Sequence, residues 1–544
     1  RVQVPVESYR PRLAFSSSSC QLGYPDRCSC REPDRSRGQN SLQRFGAICK
    51  SSLTLSHRAT RMTKATKKEM ARYSTCAFYW VFSIASGIMG PTFGGCAVLP
   101  VDSGTDQPGQ IAPAHGALET MPWSNVPPGG QKAADVPQFV AITSDDNFGD
   151  EAVYQPVGGL KGYLDLMQGW KNPASRRDAA TFDESSVRGT FFLTTLYMDP
   201  RWNASNDLPS WKAAFAAGHE VANHTYAHHN GGSWVLGMER NPANTEVFPV
   251  DADNCCGARD WTIAQWKAEI KKANDMLLGE RGVGATQADL VGHRAPFLAY
   301  NDALFRGLAE LDYQYDSSIP NCFAKGEDGT RCAWPYTLDE GSQDADTMTA
   351  RFGWAKVGKH PGLWEVGPTT FFVPDDSLAA RYAFKIGLRK RIATAMNHNR
   401  VVGADGRSTK GRFHYPTVFD PITGAFSGLD YSLLMDAKVA PAEMLAILKY
   451  TLDQHLAGNR APFVLCTHAF LYAFDDQIPN DSGELNNPDT PTLAIRNARW
   501  AALEAFMRYA HGRPEVRMVS VGDIVAYMKR YAINRPVTEA AGLR

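Results

Sequence analysis

Four of the chain's thirteen histidines fall in one stretch, HEVANHTYAHHN, from His219 to Asn230. His224 and His228 are four residues apart. On a helix turning about 100° per residue, positions i and i+4 lie about 40° apart, so this spacing lets both imidazoles reach one metal ion. His229 falls about 140° from His224 and is set outside that face. His219 lies back toward the preceding apolar run, where it packs or makes a hydrogen bond. By itself, an HxxxH pair is equally compatible with a polar turn.

Three further groups have chemistry-bearing residues at the end of an apolar run. TSDDNFGD places Asp145 and Asp146 side by side. Adjacent carboxylates repel unless a cation or a proton resolves them, although the same pair also serves as a cap at a strand-to-loop turn. GHRAPFLAYNDALF carries Arg294 just before Pro296. A strand-end arginine either orients a carboxylate through bidentate hydrogen bonds or makes a surface ion pair. VLCTHAF ends in a lone His468, which reads equally as a satisfied core histidine.

These groups need strands that end at them. VPQFVAIT (136–143) and GTFFLTT (189–195) are compact apolar runs bounded by turn residues, hence buried strands. A helix over 208–218 stops at Gly218 and leads into a short strand, HEVA. A helix over about 262–279 precedes the strand 288–294, and 301–311 is a helix capped by Asn301. Helix 440–458, strand 461–470, a helix near 494–511, and VRMVSV running into GDIVAYMKRYA complete the alternation. Strands alternating with helices predict an α/β fold with a parallel sheet, whose functional groups sit at the strands' carboxyl ends. The excess length is assigned to loops, chiefly about 229–262 and 320–435.

The flanks read differently. The chain has 57 basic and 57 acidic residues, but residues 1–72 hold fifteen Lys and Arg against five Asp and Glu, leaving the rest at −10. That basic segment has no steady apolar period, so it is expected to be disordered or untranslated. It also lacks the interleaved aromatics of a nucleic-acid-binding surface, and no nucleic-acid partner is expected. Residues 73–96 follow Lys64, Lys67 and Lys68 with an apolar run too short for a comfortable membrane span, ending at Cys96. This pattern is similar to a signal peptide or bacterial lipoprotein signal, with Cys96 as the lipidated residue. The expected location is outside the cytosol, secreted or anchored to the membrane surface. Residues 97–133 are Pro- and Gly-rich and read as a linker. Of the five later cysteines, Cys322 and Cys332 close a short loop and can pair in an oxidising compartment. Cys255, Cys256 and Cys466 show no zinc-type spacing and are structural at most.

Taken in order, an Asp pair, HTxxH, RAPF and a strand-end histidine resemble the polysaccharide deacetylase family, carbohydrate esterase family 4. Its motifs read TFDD, H[ST]xxH, RxP[FY] and LxxH. YQYDSS (313–318) and LWEVGP (363–368) also look like family segments. The resemblance implies one catalytic domain over 134–535, folded as a distorted β/α barrel with long loop insertions. It implies a single divalent metal ion, commonly zinc, on Asp146, His224 and His228. It further implies Asp145 as general base, Arg294 as its orienting partner and His468 as general acid. The Phe297 N–H becomes an oxyanion donor. Ser144 and Asn147 depart from the family's Phe and Gly around the Asp pair. The fourth motif, an Asp with a Trp that tunes the acid, has no clear counterpart, and Trp364 is taken for the aromatic. The implied activity is removal of N-acetyl groups from glycans containing N-acetylglucosamine, such as chitin oligomers or peptidoglycan. The alternatives are an esterase for O-acetylated polysaccharides such as xylan, and a non-catalytic carbohydrate-binding protein on the same fold.

Overall fold

The computed structural model describes residues 117–147, 159–175, 179–198, 207–229, 231–232, 260–352, 354–398, 401–402, 408–410, 419–472 and 493–536. The segment 73–96 with Cys96, and Cys255 and Cys256, lie outside them. In chain order the strands that matter for the site begin with Ala117–Thr120 (β1), Gln138–Asp145 (β2), Thr190–Leu193 (β3) and Glu220–Asn223 (β4). Gly292–His293 (β5), Tyr315–Asp316 (β6), Tyr336–Leu338 (β7) and His360–Glu365 (β8) follow. Phe463–His468 (β9), Val516–Met518 (β10) and Ile533–Pro536 (β11) complete the set.

Nine of these strands form one sheet in the order β9-β2-β3-β4-β5-β6-β8-β7, with β10 also paired to β2. Its ladders are parallel except β7 against β8. The parallel run explains why β2 reads as continuous apolar sequence, since a parallel strand is covered on both faces. All eight residues of β2 are buried. Alternation then divides them: Val140 and Ile142 join one core cluster, while Phe139 and Ala141 join the other. Helices Asp207–Ala216 (α1) and Ile263–Leu277 (α2) pack on β4, and Asp302–Glu310 (α3) packs on β8. The caps are local: Thr262 and Gln265 form a reciprocal capping box on α2, and Asn301 Oδ1 accepts from Leu304 N on α3.

The sheet curls into a half-barrel rather than closing by ladder pairing. Beyond β9, Thr369 N donates to Val464 O at 3.0 Å, and Leu429 forms a bridge with Cys466. This is the distorted barrel that the sequence implied.

Three expectations need correction. Strand 288–294 shrinks to Gly292–His293, because Asp289 closes a capping box with Thr286 and turns 287–289 into a 3-10 helix. A Cβ at Gly292 would lie 2.1 Å from the Tyr315 ring, so the strand pair β5–β6 depends on glycine there. Residues 320–435 are not loop alone, since they supply β7, β8 and the helix Gln343–Phe352. Finally, the C-terminal part of the expected linker is folded in. β1 pairs antiparallel with β11, and Trp123 Nε1 donates to Asp344 at 3.1 Å. The Cys322–Cys332 disulfide forms as the short loop suggested.

Candidate active site

Four parallel strands, β2, β4, β5 and β9, deliver the chemistry-bearing groups at or just past their carboxyl ends. β2 finishes at Asp145, and the chain then turns through Asp146 (φ 63°) and Asn147 (φ 58°). Asp and Asn tolerate this left-handed conformation better than most residues. Asn147 Nδ2 donates to Ser144 O at 2.8 Å and to Phe192 O at 3.0 Å, and its own carbonyl accepts from Trp211 Nε1 at 2.8 Å. The two departures from the family motif are thus wired into the turn. Ser144 Oγ likewise accepts from Ala469 N at 3.0 Å, tying β2 to the residue after His468.

β4 runs into Asn223 and His224, but no helix follows. Thr225 (φ 65°) and His228 (φ 54°) are left-handed, and Asn223 Oδ1 accepts from Thr225 N at 2.7 Å. The helical argument for the histidine pair is therefore overturned, because a tight Asn-Thr turn competes with helix formation immediately after the strand. The turn still brings the two rings within 5.0 Å of each other. His229 points to Trp261 instead, at 5.9 Å. His219 accepts from Gly189 N at 3.0 Å and packs against Phe191.

Asp146, His224 and His228 offer ligand atoms that all lie within 4.8 Å of one another. His228 Nε2 is 3.1 Å and His224 Nε2 3.7 Å from Asp146 Oδ1. The donor set fits a divalent metal on three observations. Two nitrogens and one oxygen suit zinc and leave a fourth position open. His224 Nδ1 lies 2.8 Å from the Arg294 carbonyl, a contact that puts the proton on Nδ1 and turns the Nε2 lone pair toward Asp146. Burial pushes His224 down to about 4, against the pull of Asp145, so its ring is neutral at pH 7.

The carboxylate pair is divided electrostatically. Burial is the largest single influence and raises both, but for Asp145 the charge and hydrogen bond of Arg294, joined by His224 and His468, together outweigh it, and the carboxyl sits below its ordinary value. For Asp146 burial prevails over the nearby histidines, and the carboxyl is raised. Asp146 is thus the anion that a cation would stabilise most. Arg294 is fully buried, which removes the surface ion pair as its role. Its Nη1 donates to Asp145 Oδ1 at 2.7 Å and to Thr143 Oγ1 at 2.8 Å, while Nε donates to Ser317 O at 3.0 Å. Phe297 lies in the turn Pro296–Leu298 with φ 60°, its ring 4.6 Å from His228.

At the end of β9, in register with Asp145, His468 Nδ1 meets Asp430 Oδ1 at 2.7 Å, and its backbone N donates to Asp430 Oδ2 at 2.9 Å. Burial lowers His468, but the Asp430 charge and hydrogen bond outweigh it and hold the imidazolium to about 9. Asp430 was not found in the sequence. It stands 38 residues before His468 with no fixed spacing to mark it. Trp364 is corrected: it is buried in the second core cluster on β8. Among the described residues the rings against His468 are Tyr431 and Phe470, at 5.9 and 5.7 Å.

A half-barrel with an Asp pair, two histidines, an arginine clamp and a His–Asp pair at its strand ends has the layout of the family that the motifs suggested. Residues 167–315 match the family model described as polysaccharide deacetylase, so the chain carries a domain of that family there. The match takes in His224, His228, Arg294 and Phe297 and leaves Asp145, Asp146, Asp430 and His468 outside, so their grouping comes from the fold. No curated protein matches the chain. Among solved structures, a putative polysaccharide deacetylase from Mycobacterium smegmatis is 17% identical, covering 73% of this chain and 92% of that one with a TM-score of 0.33. A family 4 carbohydrate esterase from Streptomyces lividans in complex with acetate is 18% identical over 33% of this chain and 62% of that one, TM-score 0.19. The Puue allantoinase is 13% identical over 73% and 93%, TM-score 0.31. At these identities and scores the likeness assigns no substrate.

Proposed function

We propose that the protein is a metal-dependent hydrolase that removes N-acetyl groups from glycans containing N-acetylglucosamine, such as chitin oligomers or peptidoglycan. One observation carries this reading: the Asp146, His224 and His228 cluster stands beside an arginine-held Asp145, with the His468 imidazolium close enough to act electrostatically on both aspartates. A divalent ion, zinc by its donor set, would be held by Asp146, His224 and His228 and would supply Lewis acidity to the water and to the acetyl carbonyl. Asp145 takes a proton from the attacking water. The Phe297 N–H donates to the carbonyl oxygen as charge builds on it. His468, kept protonated by Asp430, gives its proton to the departing nitrogen. The water oxygen ends on the acetyl carbon, the C–N bond breaks, and acetate and a free amine leave.

The protein acts outside the cytosol, secreted or anchored through the segment 73–96 and Cys96. The buried Cys322–Cys332 disulfide supports this, since such bonds persist in oxidising compartments. The test is acetate release from chitin oligomers, peptidoglycan and acetylxylan, with and without a chelator. Release from the first two that stops on chelation is the expected result. Release from acetylxylan alone moves the assignment to an O-acetyl esterase, and turnover indifferent to the chelator rejects the metal-dependent mechanism.

A further inference from the structure

Cys466 is the free cysteine among the described residues, buried on β9 two positions before His468. Nothing in the mechanism above uses it. Its thiol donates to Asp145 Oδ2 at 3.2 Å, and Arg294 Nη1 donates to the sulfur at 3.3 Å while also donating to Asp145 Oδ1 at 2.7 Å. Carboxylate, guanidinium and thiol therefore form a closed triangle, each touching the other two. The Cys466 backbone is held from both sides, by Thr143 of β2 in register and by the bridge to Leu429. The backbone that carries the sulfur is therefore fixed beside β2.

The geometry points to Cys466 as a positioning residue for Asp145, fixing the second oxygen of the carboxylate so that it faces the reacting water. The torsion about Cβ–Cγ of an aspartate is broad and roughly two-fold. A single donor on Oδ1 leaves Oδ2 free to swing about that bond. Donors on both oxygens, one from Arg294 and one from β9, define the carboxylate plane, and a misplaced base loses rate steeply. The thiol suits this task because it remains neutral. Burial pushes it well above the ordinary cysteine value despite Arg294, with Asp145 adding to the rise. It is a donor here, not a nucleophile.

This inference rests on Asp145 acting as the base, and the experiment separates the two. Cys466→Ala, Cys466→Ser and Asp145→Asn are compared with the wild-type full chain for kcat and KM on chitin oligomers in zinc-containing buffer. The S–H infrared stretch is recorded on metal-free protein, with the Cys466 band assigned by subtracting the Cys466→Ser spectrum. Cys466→Ala is expected to lower kcat about tenfold with KM within about twofold, and Cys466→Ser to recover kcat to within about threefold. Asp145→Asn should move the S–H band toward that of an unbonded thiol, because the charged acceptor is gone. If Cys466→Ala keeps wild-type kcat while Asp145→Asn abolishes it, the positioning role is overturned and the base assignment stands. If Asp145→Asn still turns over, the base assignment fails and takes the inference with it. Should Cys466→Ala not fold, an S–H band unmoved by Asp145→Asn overturns the inference on its own.

Discussion

His224 and His468 are both buried, both act electrostatically on Asp145, and are driven in opposite directions. Burial disfavours the charged ring in each case. At His224 the Nδ1 partner is the uncharged carbonyl of Arg294, burial wins, and the ring goes down to about 4. At His468 the Nδ1 partner is the Asp430 carboxylate, whose charge and hydrogen bond, joined by Asp145 and Asp146, outweigh burial and hold the ring to about 9. His455, which takes no part in the site, supplies the control. Its Nδ1 lies 2.8 Å from the Ala461 carbonyl, and it too is down at about 4. One side of the site therefore offers lone pairs and the other offers a proton, from the same residue type. The atom at Nδ1 makes the difference.

The most severe way to break this contrast is to remove what the lone pairs are for. Chelation should abolish acetate release and added zinc should restore it. Zinc at about 100 times its Kd should also stabilise the fold by roughly 2.7 kcal/mol in thermal melts, a gain that His224→Ala loses. A melt indifferent to zinc would remove the ligand role from that half.

Next in size, Asp145→Asn should lower kcat about 10³-fold while zinc binding by calorimetry persists, since Asp146 and both histidines are intact. Joint loss of zinc binding and turnover would merge two roles that the coordinates keep apart.

Asp430→Asn sharpens the other half. It should lower kcat about 10²-fold and change the pH profile. His468 must be protonated to act as the acid, so wild-type kcat/KM should fall as pH rises through about 9. Without the Asp430 charge that limb moves down toward the ordinary histidine value of about 6.5. The stability sign agrees. The folded pKa lies above the unfolded one, so the pair's contribution is complete below about pH 6.5 and is lost as pH rises through about 9. An alkaline limb that stays in place in Asp430→Asn would refute the account of His468.

The smallest effect belongs to the control. His455→Asn should leave kcat and both pH limbs unchanged and lower stability by about 1 kcal/mol through the altered contact to Ala461 O.

Much of this was legible in the chain itself. Parallel strands buried on both faces must be short apolar runs, so β2, β3 and β9 announce themselves, and β2 and β9 bear functional residues at the carboxyl end or just past it. Asp145, Asp146, Arg294 and His468 were marked in this way. The histidine pair was marked for a reason that does not hold, since four-residue spacing works here on a left-handed turn, not a helix. Asp430 and Cys466 carried no signal. They act through contacts spanning 38 and 321 residues, at the start of a helical turn and on a strand whose own sequence specifies only burial. The sequence by itself determined which groups end the strands, because side-chain periodicity and burial are local. Only the tertiary structure decided which histidine is neutral and which is charged, because that depends on the atom the fold brings to Nδ1.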